Sequence, residues 1–193
     1  CQWNCGFGGD AKGRHNPDAM NKSSVDFCNV QRIAFDWAGV VRKGIFLLRP
    51  EGSQVRSARV RDGYAVQWAA RENVPVSLIT GGREGSVRLR MNGLGVEDVH
   101  LGSGNKLEVV TRLCQTEWGI DLSDLAYMGD DLPDLPVLEA CGLSMCPADA
   151  VPEVQAICDY VSPLPGGAGC VRDVLERMMK DKGIWHGEGL HHW

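Results

Sequence analysis

Three short apolar segments each end in side chains that can bind a cation or a phosphate. Asp36 follows QRIAF, Thr80-Gly81-Gly82 follow VPVSLI, and Asp130-Asp131 follow LAYMG. Carboxylates at these positions are hard oxygen ligands of the kind that Mg²⁺ prefers. A threonine hydroxyl with neighbouring glycine amides can hold phosphate oxygens, and Lys106 can offset the charge of a phosphoryl group. Together these residues predict phosphoryl transfer through an aspartyl phosphate.

Each of these features alone also has a structural explanation. A Thr-Gly-Gly sequence is commonly a turn, an aspartate before a helix is commonly an N-cap, and a single lysine is commonly a surface residue. Their joint occurrence, each at a strand end or a helix start, favours the functional interpretation.

Strands and helices alternate along the segments that must position these residues. Predicted strands cover 31–37, 74–79, 98–101, 125–128 and 143–146, and predicted helices cover 62–73, 84–94, 105–118, 134–141, 151–157 and 169–182. Residues 40–60 contain two extended stretches around Pro50-Glu51-Gly52, which is a hairpin signal. The pattern predicts an α/β fold, a Rossmann-like doubly wound parallel sheet with ligands at the carboxyl ends of the strands.

Composition is typical of a soluble globular domain. The chain has 193 residues, 44% of them hydrophobic, and a formal charge of −5. The acidic balance argues against nucleic acid or an anionic membrane as a partner, and no apolar run approaches the ~18 residues that span a bilayer. We expect residues 1–28 to be a flexible leader, 29–183 to form the domain, and 184–193 to be a disordered tail.

Eight cysteines are present, and none forms a Cys-x-x-Cys pair. A structural zinc site is therefore not expected. Four of them, at 114, 141, 146 and 170, lie within apolar or helical patterns. These patterns predict buried free thiols and a reducing, cytoplasmic compartment.

Four segments in this order resemble the motifs of the haloacid dehalogenase superfamily: FDWAGV from residue 35, LITG from 78, NKL from 105 and YMGDDL from 127. Further segments resemble the capless branch that contains 3-deoxy-D-manno-octulosonate 8-phosphate phosphatase: VRDGY from 60, LGV from 94, PADA from 147 and GGAGCVR from 166. The resemblance covers residues 31–182.

The resemblance implies a β-hairpin flap in place of a cap domain, a Mg²⁺ cofactor, a homotetramer and a phosphorylated sugar acid as substrate. It makes Asp36 the nucleophile and Lys106 the cation that offsets phosphoryl charge. Thr80 and Gly81 would bind the phosphoryl oxygens, with Arg61 and Arg83 as further substrate contacts. The implied metal ligands are Asp36, the backbone carbonyl of Ala38 and Asp130, with Asp131 in support.

Several positions depart from the family pattern. The family carries a second aspartate two residues after the nucleophile, which protonates the leaving group and then helps to activate water, and this position is Ala38 here. Losing such a general acid typically costs about 10²–10⁴ in rate. Arg42-Lys43-Gly44 replaces the usual Thr-Asp-Gly, and glycine or alanine replaces two family arginines, at Gly82 and Ala168.

Three interpretations follow. The chain is a divergent phosphatase of a sugar-acid phosphate such as 3-deoxy-D-manno-octulosonate 8-phosphate. Alternatively, it is a catalytically impaired relative that serves oligomeric assembly, once fused to a sugar-acid cytidylyltransferase. Thirdly, Asp36-Trp37-Ala38-Gly39 resembles the first motif of phosphonoacetaldehyde hydrolase, but residues 39–61 are too few for the helical cap domain of that enzyme.

Overall fold

The computed structural model describes residues 25–44, 47–48, 50–51, 54–55 and 57–185. The strands are β1 Arg32–Phe35, β2 Leu47–Leu48, β3 Gln54–Val55, β4 Val76–Ile79, β5 Val99–His100, β6 Leu125–Met128, β7 Leu143–Cys146 and β8 Tyr160–Val161. The helices are α1 Val60–Arg71, α2 Gly85–Asn92, α3 Lys106–Leu113, α4 Leu135–Ala140, α5 Pro152–Ile157 and α6 Cys170–Asp181.

Six parallel strands form one sheet in the order β5-β4-β1-β6-β7-β8. The chain builds outward from β1 to β4 and β5, and then crosses to β6 on the other side of β1. This reversal creates the crevice in which doubly wound sheets bind ligands. The predicted fold class is confirmed, and the short edge strand β8 was not expected from the sequence.

Apolar residues of β1 face both sides of the sheet because successive side chains of a strand alternate. Ile33 and Phe35 join the core formed with α1 and α6, whereas Ala34 joins the core formed with α3 and α4. All three are fully buried. A strand buried on both faces is typical of a parallel sheet between two helical layers.

The expected hairpin consists of β2 and β3, which pair antiparallel. It is the only secondary structure described between β1 and α1. The described part of the chain therefore holds a hairpin flap where other folds of this type insert a cap domain.

The helix predicted over 105–118 divides into two parts. Regular α3 ends at Leu113, and Cys114–Trp118 form one π-helical turn that ends at Gly119 in the left-handed conformation, with φ 64°.

The last helix, α6, was expected from its apolar spacing, and it packs against α1.

Residues just outside the predicted domain boundaries also pack with the core at both ends. Phe27, which we assigned to the leader, is 1% exposed and belongs to the same core as Ile33 and Phe35. Ile184 and Trp185, which we assigned to the tail, pack against that core, and their amides donate to the Met179 carbonyl. The rest of the predicted leader and tail lies outside the described residues.

Cys114, Cys141, Cys146 and Cys170 are buried, as the sequence predicted. Among the described residues, no helix combines the length and apolar character needed to cross a bilayer.

Candidate active site

Asp36 follows directly on the central strand β1. Its amide donates to the Met128 carbonyl at 2.9 Å, so the parallel pairing with β6 continues up to this residue. The side chain is only 5% exposed. The sheet therefore places a buried carboxylate at the switch point of the strand order.

Lys106 is the first residue of α3, where the side chain of Asn105 caps the helix by accepting from the Glu108 amide. Its ammonium nitrogen lies 3.1 Å from Asp36 Oδ1 and 2.6 Å from Asp134 Oδ1. The side chain is 8% exposed. The lysine that the sequence predicted as a catalytic cation is thus shared between two buried carboxylates.

Asp134 was not predicted as a site residue, because in the sequence it only begins a predicted helix. Its Oδ2 accepts from the amides of Asp130 and Asp131 at 3.2 and 3.4 Å, and its Oδ1 accepts from the Tyr127 hydroxyl at 2.8 Å. The available signal was its position three residues after Asp131, the N3 position of a capping box.

Three carboxylates come together at the strand ends. Oxygen atoms of Asp36, Asp130 and Asp134 all lie within 4.8 Å of one another. Asp131 does not join them, because its side chain is exposed and accepts from the Leu132 amide as the cap of a short 3₁₀ turn. Of the predicted metal ligands, the structure brings Asp36 and Asp130 together and adds Asp134.

Burial and mutual repulsion change the acidity of these groups. Burial raises the pKa of Asp36 to about 6, against the opposing effect of Lys106. Burial, together with Asp36 and Asp134, raises the pKa of Asp130 to about 7. Burial alone would lower the pKa of Lys106, but the two adjacent carboxylates outweigh it and raise that pKa.

A tight turn after Asp36 leaves room for Asp130. Gly39 has φ +82°, and a Cβ at this position would lie 1.8 Å from Asp130 Oδ2. The turn is closed by hydrogen bonds from the Gly39 amide to the Arg42 carbonyl and from the Arg42 amide to the Trp37 carbonyl. Ala38 lies inside this turn, two residues from Asp36, and its methyl group cannot exchange a proton.

The loop before α6 packs closely on the same turn. A Cβ at Gly166 would lie 1.7 Å from the Gly39 carbonyl oxygen, and the Gly167 amide donates to the Val40 carbonyl at 2.8 Å. Asp149 holds the loop by accepting from the Gly166 amide. The glycines of the predicted C-terminal segment therefore support the turn after Asp36 by close backbone approach.

Thr80 lies at the end of β4, which neighbours β1. Its hydroxyl accepts from the Gly82 amide at 3.2 Å, and its carbonyl accepts from the Ser103 amide. Thr80 is 3% exposed, whereas Gly81 is exposed. This arrangement gives a fixed hydroxyl beside an accessible backbone amide.

The two predicted substrate arginines are both exposed. Arg83 is exposed and folds over Gly102, where a Cβ would lie 3.5 Å from its Cγ. Arg61 is exposed and lines an open groove of about 860 Å³, which lies between the first turn of α1 and helix α6. Arg59, Arg172 and Arg177 line the same groove. Position 82 faces an acidic group, since a Cβ there would lie 2.8 Å from Glu84 Oε2.

The donor set suits Mg²⁺. Its members are carboxylate oxygens, which Mg²⁺ prefers. Burial, together with repulsion between the carboxylates, raises the pKa values of Asp36 and Asp130, and a divalent cation offsets both effects. Because Gly39 has no side chain, the Asp130 carboxylate has room to lie in this cluster. An α/β fold without a described cap, with a buried aspartate after the central strand, a lysine beside it and a cluster of three carboxylates, is the arrangement of a Mg²⁺-dependent phosphoric monoester hydrolase.

Comparisons with known proteins identify the family. Residues 90–169 match the haloacid dehalogenase-like hydrolase model. The 3-deoxy-D-manno-octulosonate 8-phosphate phosphatase of Salmonella typhimurium is 34% identical over 168 residues, which cover 87% of each chain. The chain belongs to the haloacid dehalogenase superfamily, in the capless 3-deoxy-D-manno-octulosonate 8-phosphate phosphatase-like family.

Solved structures agree with this assignment. The corresponding phosphatase from Yersinia pestis superposes with a TM-score of 0.79 at 31% identity, covering 82% of this chain and 85% of that one. The Moraxella catarrhalis phosphatase, solved with a magnesium ion, a phosphate ion and KDO, gives 0.78 at 29% identity, covering 81% and 90%. Mg²⁺ is thus the cofactor that both the fold family and the local donor set indicate.

Proposed function

We propose that the chain hydrolyses the phosphate ester of a sugar acid similar to 3-deoxy-D-manno-octulosonate 8-phosphate, through a phosphorylated Asp36. The observation that supports this most directly is the cluster of Asp36, Asp130 and Asp134, in which Asp36 and Asp134 also contact the Lys106 ammonium. The relatives that cover most of the chain carry this substrate in their names.

In the proposed reaction, a carboxylate oxygen of Asp36 attacks phosphorus while the bond from phosphorus to the sugar oxygen breaks. The released alkoxide takes a proton from water, and a second water then hydrolyses the aspartyl phosphate to regenerate Asp36. The Thr80 hydroxyl and the Gly81 amide bind the phosphoryl oxygens, and Lys106 offsets their charge. Arg61 and Arg83 stay proposed contacts to the rest of the substrate.

Asp36, the Ala38 carbonyl and Asp130 would hold Mg²⁺, with Asp131 in support and Asp134 as an addition from the structure. The ion supplies positive charge that stabilises the transferring phosphoryl group. Asp36 must be ionised to attack, and Lys106 at 3.1 Å favours that form.

The replacement of the second aspartate by Ala38 supports a second candidate, a catalytically impaired domain that serves assembly. Neither candidate requires a different fold. The two candidates differ in whether Asp36 reacts with phosphorus. An experiment on Asp36 therefore distinguishes them.

The test is phosphate release from a panel of sugar phosphates, including 3-deoxy-D-manno-octulosonate 8-phosphate, with Mg²⁺. We expect slow release that Asp36→Asn abolishes and that Asp121→Asn, an exposed carboxylate far along the chain, leaves unchanged. Fluorine NMR of a BeF₃⁻ adduct provides a second readout at Asp36. Absence of both release and adduct in the folded wild type and in Ala38→Asp would rule out the enzyme and favour the assembly role.

We also propose that the chain forms a homotetramer. Leu48 on the hairpin flap is 70% exposed, and an apolar side chain so placed favours burial against another copy. Sedimentation velocity of the wild type and of Leu48→Lys tests this: a smaller species is expected for the variant, and a monomeric wild type would disprove the proposal.

A further inference from the structure

We propose that Tyr127 is a positioning residue for phosphoryl transfer: its buried hydroxyl holds Asp134, and through Asp134 it sets the place of Lys106 against Asp36. This inference rests on the proposed function, because it concerns the same site. Tyr127 itself touches neither the nucleophile nor the predicted phosphate cradle in any hydrogen bond of the described structure.

The geometry is a chain of three contacts. The Tyr127 hydroxyl donates to Asp134 Oδ1 at 2.8 Å, and the same oxygen accepts from the Lys106 ammonium at 2.6 Å. Lys106 in turn lies 3.1 Å from Asp36 Oδ1. The hydroxyl and the ammonium therefore share one carboxylate oxygen.

The backbone fixes where the hydroxyl can reach. Tyr127 lies in β6 opposite Ala34 of β1, so its side chain emerges next to the strand that carries Asp36. It is fully buried in the core with Ala34, Ile79 and Leu113. Burial and the adjacent Asp134 raise the pKa of Tyr127 well above its usual value, so the hydroxyl keeps its proton and acts as a donor.

The shared oxygen gives the hydroxyl an influence on Lys106. Two donors at one oxygen divide its negative charge between them, so each bond is weaker than it would be alone. Without the Tyr127 hydroxyl, Asp134 Oδ1 would bind the ammonium alone. We expect Lys106 then to move toward Asp134 and away from Asp36 and the phosphoryl group.

Packing alone does not require a tyrosine here. A phenylalanine would fill the same apolar cavity without burying a hydroxyl, which is costly unless it is hydrogen-bonded. The hydroxyl is bonded to a residue of the catalytic cluster and to no other described residue. This combination points to a role in the site rather than in the core.

The chain offers a closely matched control in Tyr160. Its hydroxyl also donates to a carboxylate oxygen, Asp173 Oδ2, at 2.6 Å, and that oxygen also accepts from a second donor, the Ser162 hydroxyl. Tyr160 is 6% exposed and lies in β8 at the far edge of the sheet. Tyr127→Phe and Tyr160→Phe thus delete the same atom from comparable bonds inside and outside the site.

The experiment measures Mg²⁺-dependent hydrolysis of p-nitrophenyl phosphate, together with the urea midpoint of each variant. We expect similar losses of stability, but a decrease of kcat of about tenfold to a hundredfold for Tyr127→Phe alone, with KM unchanged. Equal kcat in the two variants would overturn the inference. An inert wild type without a BeF₃⁻ adduct would instead disprove the proposed function, and the inference with it.

A second measurement keeps the test valid if Tyr127→Phe does not fold. The chain has three tyrosines, so incorporation of 3-fluorotyrosine into Tyr64→Phe/Tyr160→Phe labels position 127 alone. We expect the ¹⁹F resonance to shift when BeF₃⁻ and Mg²⁺ bind, and the shift to vanish in Lys106→Met. A resonance that binding leaves unchanged would show that Tyr127 is not linked to the centre.

Discussion

The ammonium of Lys106 lies 2.6 Å from Asp134 Oδ1, closer than the 3.1 Å that separates it from Asp36 Oδ1. The lysine is therefore held mainly by a carboxylate that is itself fixed by two backbone amides and a tyrosine hydroxyl. This arrangement keeps Lys106 in place, and the contact of its ammonium with Asp36, the proposed nucleophile, is the longer of the two.

Restoring a proton-transferring group at position 38 is expected to increase turnover. Ala38→Asp should raise kcat for alkyl phosphates by about 10²-fold, because the leaving alkoxide then receives a proton within the site. Ala38→Asn is the matched control, since it has nearly the same shape and cannot transfer protons. Steady-state phosphate release measures both variants, and equal rates for them would contradict the expected role of position 38.

Removing the space at Gly39 is expected to weaken Mg²⁺ binding. A Cβ in Gly39→Ala would overlap Asp130 Oδ2 and displace this proposed ligand. Gly119→Ala provides the control, because Gly119 is also left-handed, with φ +64°, but has nothing within 4 Å of its Cβ position. Both changes should cost about 1–2 kcal/mol in backbone strain.

Only Gly39→Ala should reduce Mg²⁺ affinity, by about tenfold or more, the scale on which disturbed metal surroundings act. Isothermal titration with Mg²⁺ distinguishes the two. The prediction is wrong if the two variants bind the ion equally well.

Without Mg²⁺, stability is expected to fall as the pH rises from about 4 to about 7. The folded-state pKa of Asp130, about 7, lies above the ordinary value of 3.8, so the folded protein binds the extra proton in this window. Stability then decreases with pH, by at most about 1.4 kcal/mol per pH unit for one proton. Urea unfolding in EDTA at several pH values measures this decrease.

Asp130→Asn should show a shallower decrease, because it lacks the titrating group. Saturating Mg²⁺ should remove the decrease in the wild type, since the ion binds the deprotonated carboxylates and stabilises the fold more at pH 8 than at pH 5. Identical pH profiles of wild type and Asp130→Asn in EDTA would refute this account.

Shortening Phe27 is expected to destabilise the domain although the residue precedes the first strand. Phe27→Ala should cost about 3–5 kcal/mol, because the ring is fully packed in the core. Cys28→Ala, at the adjacent exposed position, should change stability little. Thermal and urea unfolding of both variants measure the difference, and a Phe27→Ala protein as stable as Cys28→Ala would show that the Phe27 ring does not stabilise the core.

Residues adjacent in sequence to a strand end could be predicted well. Asp36, Thr80 and Asp130 each follow an apolar strand, and the carboxyl ends of parallel strands meet at one edge of the sheet. The placement of all three at that edge therefore followed from the alternation of strands and helices. Lys106 followed from its place at a helix start beyond a glycine-rich turn.

Asp134 and Asp131 show where this reasoning stops. Both follow the same strand, and only the turn between them decides which carboxylate faces Asp36. The 3₁₀ turn directs Asp131 to its own backbone and Asp134 to Lys106. Asp131 and Asp134 are only three residues apart, yet their side chains have different partners. The spacing of residues in the sequence does not predict this difference.

The sequence by itself determined the class of fold, the order of the motifs and the place of Asp36 at the end of the central strand, because these depend on local patterns and on the regular geometry of a parallel sheet. Only the tertiary structure decided that Tyr127 reaches Asp134, that Gly39 makes room for Asp130, and that Phe27 belongs to the core. Each of these depends on contacts between segments far apart in the chain, whose distances are set by packing rather than by local sequence.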